Sequence, residues 1–524
     1  MSTRFIFSVK SLLMMKYYLS RIALLGVVIL GIQPQLRAQF SLIGQLRTRT
    51  ELRNGVGNLP VKDAPMAAFT SQRARLTFGY KWDRVTFGMA IQDVRVWGQD
   101  ASTISNADGN RLMVHEAWAD MVLLNRADST IATKAIDYLS LKIGRQEMVY
   151  DDSRLIGNLD WLQQGRRFDA ALLKAQHKSW AADLGVGFNQ NTDAFGVSGT
   201  YYTPANVPTS ALSTQNVTLA IPSGFIPTSG KGGAPVVANA VSTNGQNQQF
   251  KSFQMLYLTR KFRHTKFSAL VFKDDFQKYR IDSIGSATAG YVYGRRYDQA
   301  GTNSRVTYGA MLTGLVGKTL PISWQAFSYW QSGKDRDGLQ IKDAYHYGAN
   351  LMVQRGALSV GPGYEVLSGN NDATIKAGET SRFDPLYGTP HKFWGLMDYF
   401  YAGTGSPSGG LQDAYLKFKY TGKRLITSFD IHYFALANTT FNRMPDVPAA
   451  TPLSSKLGME YDLIANYSLN KFTTLEAGYA ITNGTNTLEY TKQGTMNQKD
   501  KVGTWAYLMI NIRPDFFAVK TAAK

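Results

Sequence analysis

Residues Phe69 to Trp82 alternate without a break. Gln72, Ala74, Leu76, Phe78, Tyr80 and Trp82 share one face, and Ser71, Arg73, Arg75, Thr77, Gly79 and Lys81 share the other. A period of two means a strand. Soluble strands average five or six residues, whereas a tilted membrane-crossing strand needs about nine to eleven. In a soluble sandwich the apolar face would pack a core. In a membrane barrel it faces lipid, and the polar face lines a wet lumen.

The same pattern recurs in about eighteen segments, from 39–53 to 501–513. Every second connection is short, as at Asp83, Ser179, His264–Thr265, Gly356–Ala357 and Gly422. Between them lie long ones, among them 54–67, 150–164, 193–248 and 369–410. Only 125–135 breaks the rule. Tight turns on one side and long loops on the other are what an antiparallel barrel gives. The fold expected is therefore all-β, a transmembrane antiparallel β-barrel of about 18 strands with short periplasmic turns and long extracellular loops. Tyr420, Tyr433, Tyr461, Tyr467 and Tyr479 sit on outward faces and suit an interfacial girdle. Phe516 and Phe517 come near the end of the last strand, followed by a short tail.

The ends of the chain set its boundaries. Arg4, Lys10, Lys16 and Arg21 precede the apolar run Ile22–Ile32, and a cleavage site follows at Ala38. That is a signal peptide over 1–38, too short in its apolar part to be an anchor. The barrel is expected over 39–517 and the tail over 518–524. Removing the leader takes Arg4, Lys10, Lys16, Arg21 and Arg37 but no acid, so the formal charge falls only from +19 to +14. There is no cysteine, which excludes disulfides and thiolate metal sites.

Alternation assigns the lumen. The first strand offers Arg47, Arg49 and Glu51, and the second Arg73, Arg75 and Lys81. The fifth gives Lys142, the sixth Arg167 and Asp169, and the tenth Arg305. Asp413, Tyr415, Lys417 and Lys419 come from the fourteenth, Asp430 and His432 from the fifteenth, and Glu460 and Asp462 from the sixteenth. The result is a basic arc with some compensating acids. A barrel of 16–18 strands leaves an aqueous channel, whose wall charge sets selectivity. Two readings stay open on composition: a conduit for anions or polyanions, and a general porin whose charges mostly hold loops in place.

Four segments carry a resemblance. IQDVRVWG (91–98), HEAWADMVL (115–123), LKIGRQEMVYDDSRLIGNLDWLQQGRRFD (141–169) and FDPLYGTPHKFWGLMDYF (383–400) are similar to the alginate export family of outer-membrane barrels. The resemblance implies an eighteen-stranded monomeric barrel, with an arginine-rich lumen that passes a polyuronate outward. It implies a passive conduit and no enzyme. The matching positions are Gln92, Asp93, Arg95, Glu116, Asp120, Arg145, Gln146, Glu147, Asp160, Arg167 and Asp169. Asp93 and Arg95 share parity with lipid-facing Ile91, so either a bulge intervenes or the strand has left the membrane there. Asp413, Asp430, Glu460 and Asp462 make this lumen less uniformly basic than the resemblance implies.

The last of these segments sits in an outer loop, yet Phe383, Leu386, Tyr387, Phe393, Trp394, Leu396, Met397 and Phe400 need burial. Pro390–Phe400 reads as a short helix capped by Thr389. The loop is expected to fold over or into the barrel mouth, with Asp384, His391, Lys392 and Asp398 facing the passage. It is then either a constriction or a packed stiffener of the rim. The loop 193–248, poor in charge, reads as cover. No HExxH spacing exists and the six histidines are scattered, which argues against metal hydrolysis. No cofactor is expected. The expected partners are outer-membrane lipid and an anionic solute or polysaccharide, with no nucleic acid and any periplasmic export partner unnamed.

Overall fold

The computed structural model describes residues 39–98, 112–127, 135–191, 193, 200–204, 209–228, 250–402 and 407–518. The expected signal peptide and nearly all of the tail lie outside the described residues. Eighteen long strands follow in chain order. The first six are β1 (Gln39–Asn54), β2 (Ala67–Trp82), β3 (Val85–Val96), β4 (Leu112–Asn125), β5 (Tyr138–Gln146) and β6 (Phe168–His177). The next six are β7 (Trp180–Phe188), β8 (Ser252–Lys261), β9 (Thr265–Gln277), β10 (Thr302–Val316), β11 (Ile322–Lys334) and β12 (Gln340–Arg355). The last six are β13 (Leu358–Leu367), β14 (Leu411–Thr421), β15 (Leu425–Ala435), β16 (Lys456–Ser468), β17 (Thr473–Gly484) and β18 (Val502–Ile512).

Each strand pairs antiparallel with the next, and β18 returns to β1 with Leu46 opposite Ile512 and Asn54 opposite Thr504. The sheet therefore closes and leaves no open edge. Beyond Ile512 the chain steps through Pro514, whose carbonyl accepts from Gly44 N–H at 3.0 Å, and residues 515–518 pair with the foot of β1. The expected boundary between barrel and tail falls inside this short strand. Phe516 fills the space over Gly44, where a Cβ would lie 2.4 Å from its ring.

Strand parity is that of a membrane barrel. On β2, Ser71 and Arg73 are buried inside while Leu76, Tyr80 and Trp82 are exposed outside. A charged side chain on the lipid face costs about 2–4 kcal/mol at the midplane, which keeps the alternation strict through the middle of each strand. Two bulges adjust it. Between β3 and β4 the register shifts at Ala90/Ile91, so that His115 and Glu116 both point inward. The bulge is on β4. β3 keeps register with β2 from Ser71↔Val96 to Trp82↔Val85, so Asp93 and Arg95 stay outward, paired at 2.6 Å near the extracellular end.

The lumen is not an open tube. The loop 147–167, between β5 and β6, and the loop 368–410, between β13 and β14, turn inward and bind each other. Tyr387 N–H donates to Leu155 O at 2.9 Å, Gly157 N–H to Tyr387 O at 3.0 Å, and Thr389 N–H to Ser153 O at 2.8 Å. Around this seam one apolar cluster crosses the barrel, from Phe168 and Phe253 on one side to Leu411, Ala480 and Trp505 on the other.

The expected helix over 390–400 is reduced to one 3-10 turn, Pro390–Lys392, and the Thr389 side chain does not cap it. Its hydroxyl accepts from Leu159 N–H instead. The helix stops because Gly395 turns at φ 80° and the barrel wall takes the next two N–H groups: Leu396 donates to Asp462 and Met397 to Glu460, at 3.2 and 2.7 Å. The α-helix that does form is α1 (Asn486–Gln493), between β17 and β18, capped by Thr485 and ended by Gly494 at φ 70°. In the long segment read as cover, residues 225–227 join a hairpin of residues 280–296 in a three-stranded sheet.

Candidate functional site, a basic arc covered by two loops

The site begins with the register of β1 and β2. Arg47 lies opposite Arg73 and Gln45 opposite Arg75, all on the inward face. Like charges set directly opposite repel, so the arc needs an anion or several carbonyls against it. The loop 147–167 supplies both. Asp160 bridges the pair, with its carboxylate 3.3 Å from Arg47 and 2.8 Å from Arg73. Arg47 also donates to the carbonyls of Asp160 and Leu162 and, through Nε, to Gln163. Arg49 donates to Trp161 O at 2.7 Å and to Glu51. Arg47, Arg49 and Arg73 are 4%, 3% and 1% exposed. Arg75 donates to Gln92 at 2.8 Å and lies 3.6 Å from Glu147, while its Nη2 has no hydrogen-bond partner among the described residues.

A stack couples this arc to the second loop. Trp161 lies under the Arg49 guanidinium at 3.9 Å and stacks on His391 at 4.3 Å between ring centroids. His391 Nδ1 is 2.7 Å from Asp398. Burial alone would raise the Asp160 carboxyl, but Arg73 and Arg47 outweigh it and hold it below the usual carboxylate range. Thus the loop's carboxylate sits ionised against the arginines.

The second loop is held on the opposite wall by the lumen acids. Arg305 donates to Asp274 at 2.6 Å and to Asp384 at 2.7 Å, and the Tyr387 hydroxyl donates to Asp274 at 2.9 Å. Arg154, from the first loop, pairs with Glu365 and sits between the rings of Phe327 and Phe393. His346 Nε2 is 2.9 Å from the same Glu365. Asp413 and His432 pair with each other at 2.9 Å.

The remaining candidates are spread out. Lys142 lies over Trp118 at 3.9 Å. Lys417 bonds Asp430 at 2.7 Å, and Lys419 is exposed. Lys392 donates to Asp152 O at 3.0 Å beside a lumenal cavity of 270 Å³, which Arg154, Gln325, Asn350 and Tyr415 also line. Arg145 and Asp169 are corrected. They are register partners on the outward parity of Ile143 and Ala171, and form a two-bonded ion pair at 2.8 and 2.9 Å near the extracellular end. Arg167 precedes β6 on that same parity. The inward reading failed there because Phe168, Ala170 and Leu172 take the inner face of β6. Sequence reasoning also missed Gln163 and Arg154, polar residues of a loop whose inward path no periodicity records.

Comparison with known proteins bears on this geometry. A family model described as alginate export matches residues 30–187, which span β1 to β7 and the loop over the arc. Curated proteins give no match. Among solved structures, Acinetobacter baumannii OccAB4 aligns with TM-score 0.53 and 12% identity, over 92% of this chain and 100% of that one. OccAB2 of the same organism aligns with TM-score 0.51 and 12% identity over 91% and 98%. Pseudomonas aeruginosa OccK11 (OpdR) does so with 0.50 and 12% over 92% and 96%. Likeness at this identity is one of fold. With its closed eighteen-strand wall and its lipid-facing apolar surface, the chain is a bacterial outer-membrane β-barrel, and over residues 30–187 it is similar to the alginate export family.

Proposed function

We propose that this barrel is a passive channel for anionic solutes, including polyuronate-like polysaccharide, and that Asp160 occupies the solute position on the arginine arc in the state described. The observation that supports this most is the bridge itself: one carboxylate held between arginines of neighbouring strands at 3.3 and 2.8 Å. Arginine binds carboxylates through paired, charge-assisted hydrogen bonds. A uronate sugar presents the same group once per unit, so it competes with Asp160 for Arg47 and Arg73. Passage then requires the two inward loops to yield, and the reading contains no enzymatic step.

A general diffusion porin with weak selectivity is the second reading. The pairing of Lys417 with Asp430, and of Lys142 opposite Asp120 in the β4–β5 register, favours it, since these cancel charge along the wall. A planar bilayer under a KCl gradient separates the two. The expected reversal potential is anion-selective, and Arg47→Gln with Arg73→Gln should lower that preference severalfold. An oligouronate should reduce the current more than a neutral oligosaccharide of equal length. A wild-type channel with no anion preference, blocked equally by both sugars, would leave the porin reading.

A further inference from the structure

Three outward-facing cations at the extracellular end have acids beside them. Arg95 holds Asp93, Arg145 holds Asp169 and Lys273 holds Asp275. At the periplasmic end the outward Arg260 is in no ion pair among the described residues. Arg260 lies on β8, on the outward parity of Leu256 and Leu258, opposite Trp180 of β7. Its guanidinium sits 5.0 Å from the Trp180 ring and 4.7 Å from the Phe262 ring, and both aromatics are exposed. Its Nε is buried and has no hydrogen-bond partner among the described residues.

The surroundings add positive charge. Lys261 N–H donates to Ser179 O at 3.0 Å, which sets the turns β6–β7 and β8–β9 side by side. These two turns carry Lys178 and Arg263, both exposed, and no carboxylate. The nearest turn with an acid offers Asp137, already held by Arg126 at 2.8 Å and by the backbone N–H of Lys178 at 2.6 Å. Above Arg260 the wall is apolar and exposed, with Leu184, Val186 and Leu256. Cations beside interfacial aromatics below an apolar wall complement one kind of molecule: a headgroup phosphate with acyl chains attached.

We propose that Arg260, Lys178 and Arg263, with Trp180 and Phe262, form a headgroup site for an acidic phospholipid of the periplasmic leaflet. The two rings hold the guanidinium plane by cation–π contact and leave its Nη groups to donate to a phosphodiester. Lys178 and Arg263 select the acidic lipid. A zwitterionic headgroup would bring its ammonium against them, whereas a glycerol headgroup brings no cation. The acyl chains lie on Leu184, Val186 and Leu256. This site is at the far end of the barrel from the arginine arc and does not depend on what the channel conducts.

The test is native mass spectrometry of the full barrel, released from nanodiscs made of equal phosphatidylglycerol and phosphatidylethanolamine. The wild type should keep phosphatidylglycerol in preference, and Arg260→Gln should cut that preference threefold or more. Arg260→Lys, which keeps the charge but loses the planar stack, should fall between. Lys471→Gln serves as the control, because Lys471 lies over Phe472 in another periplasmic turn. Should Arg260→Gln not fold, the double variant Lys178→Gln/Arg263→Gln changes only exposed turns and must show the loss. Equal loss in Lys471→Gln and Arg260→Gln would mean diffuse attraction and overturn the site. So would a wild type that keeps both lipids alike.

Discussion

Asp160 is one side chain on which the closed state turns. Its carboxylate is 47% exposed on the far side, so solvent screens part of its attraction to Arg47 and Arg73. Its two charge-assisted bonds are worth about 2 kcal/mol together. The folded carboxyl is held below its unfolded value of about 3.9. Stability from this latch is therefore complete above that pH and is lost as pH falls through the lower folded value. Spin labels at residue 162 should gain mobility only in strong acid in the wild type, and already at pH 7 in Asp160→Asn. A label equally immobile in the variant at pH 7 would show that the backbone carbonyls alone seat the loop. Lys492 of α1 behaves in the opposite sense. Burial lowers it to about 7, with Asp398 opposing, while it donates to Tyr399 O at 2.6 Å. The unfolded lysine titrates near 10.4, so stability should rise with pH between about 7 and 10 and stay flat below. The hydrogen-exchange protection factors of residues 485–494, taken against the intrinsic rate at each pH, should rise over that window, and Lys492→Met should abolish the rise.

The strands and the inward loops differ in how they are written in the sequence. A strand is fixed by its own alternation, so β2 with its Arg73 and Leu76 faces could be read residue by residue. The need of 383–400 for burial was also legible, from aromatics that no outer loop can leave in water. Its conformation was not. The N–H groups of Leu396 and Met397 are taken by Asp462 and Glu460, more than sixty residues away, and this outweighs local helix preference. The loop 147–167 was less legible still, because its partners Arg47, Arg49 and Arg73 precede it by some ninety residues or more. That loop and 368–410 share a seam, so they should open together. Replacing 383–400 by a short Gly-Ser linker removes His391 from Trp161 and Tyr387 from Leu155. Single-channel conductance should increase severalfold. An unchanged conductance in a variant that still shows heat-modifiable mobility would make the loop a stiffener of the rim.

Across the whole molecule the charge is polar. The nine connections on the extracellular side carry nineteen Lys or Arg and nineteen Asp or Glu. The turns on the periplasmic side carry nine Lys or Arg and three Asp. The connections thus carry a net +6 at the periplasmic rim and none at the other, and only the order of the strands reveals which. Low-dielectric walls focus such a field and raise the local concentration of counter-ions, an effect that salt screens. Anions should therefore enter more readily from the periplasmic mouth. With the barrel oriented by one-sided insertion, chloride current driven from that side should exceed the reverse current at 0.1 M KCl and equalise near 1 M. Lys423→Gln/Arg424→Gln, in the turn between β14 and β15, should reduce the asymmetry without changing the selectivity proposed for the arc. An asymmetry that persists at 1 M salt would place its cause in the shape of the two inward loops instead of in the rim charge.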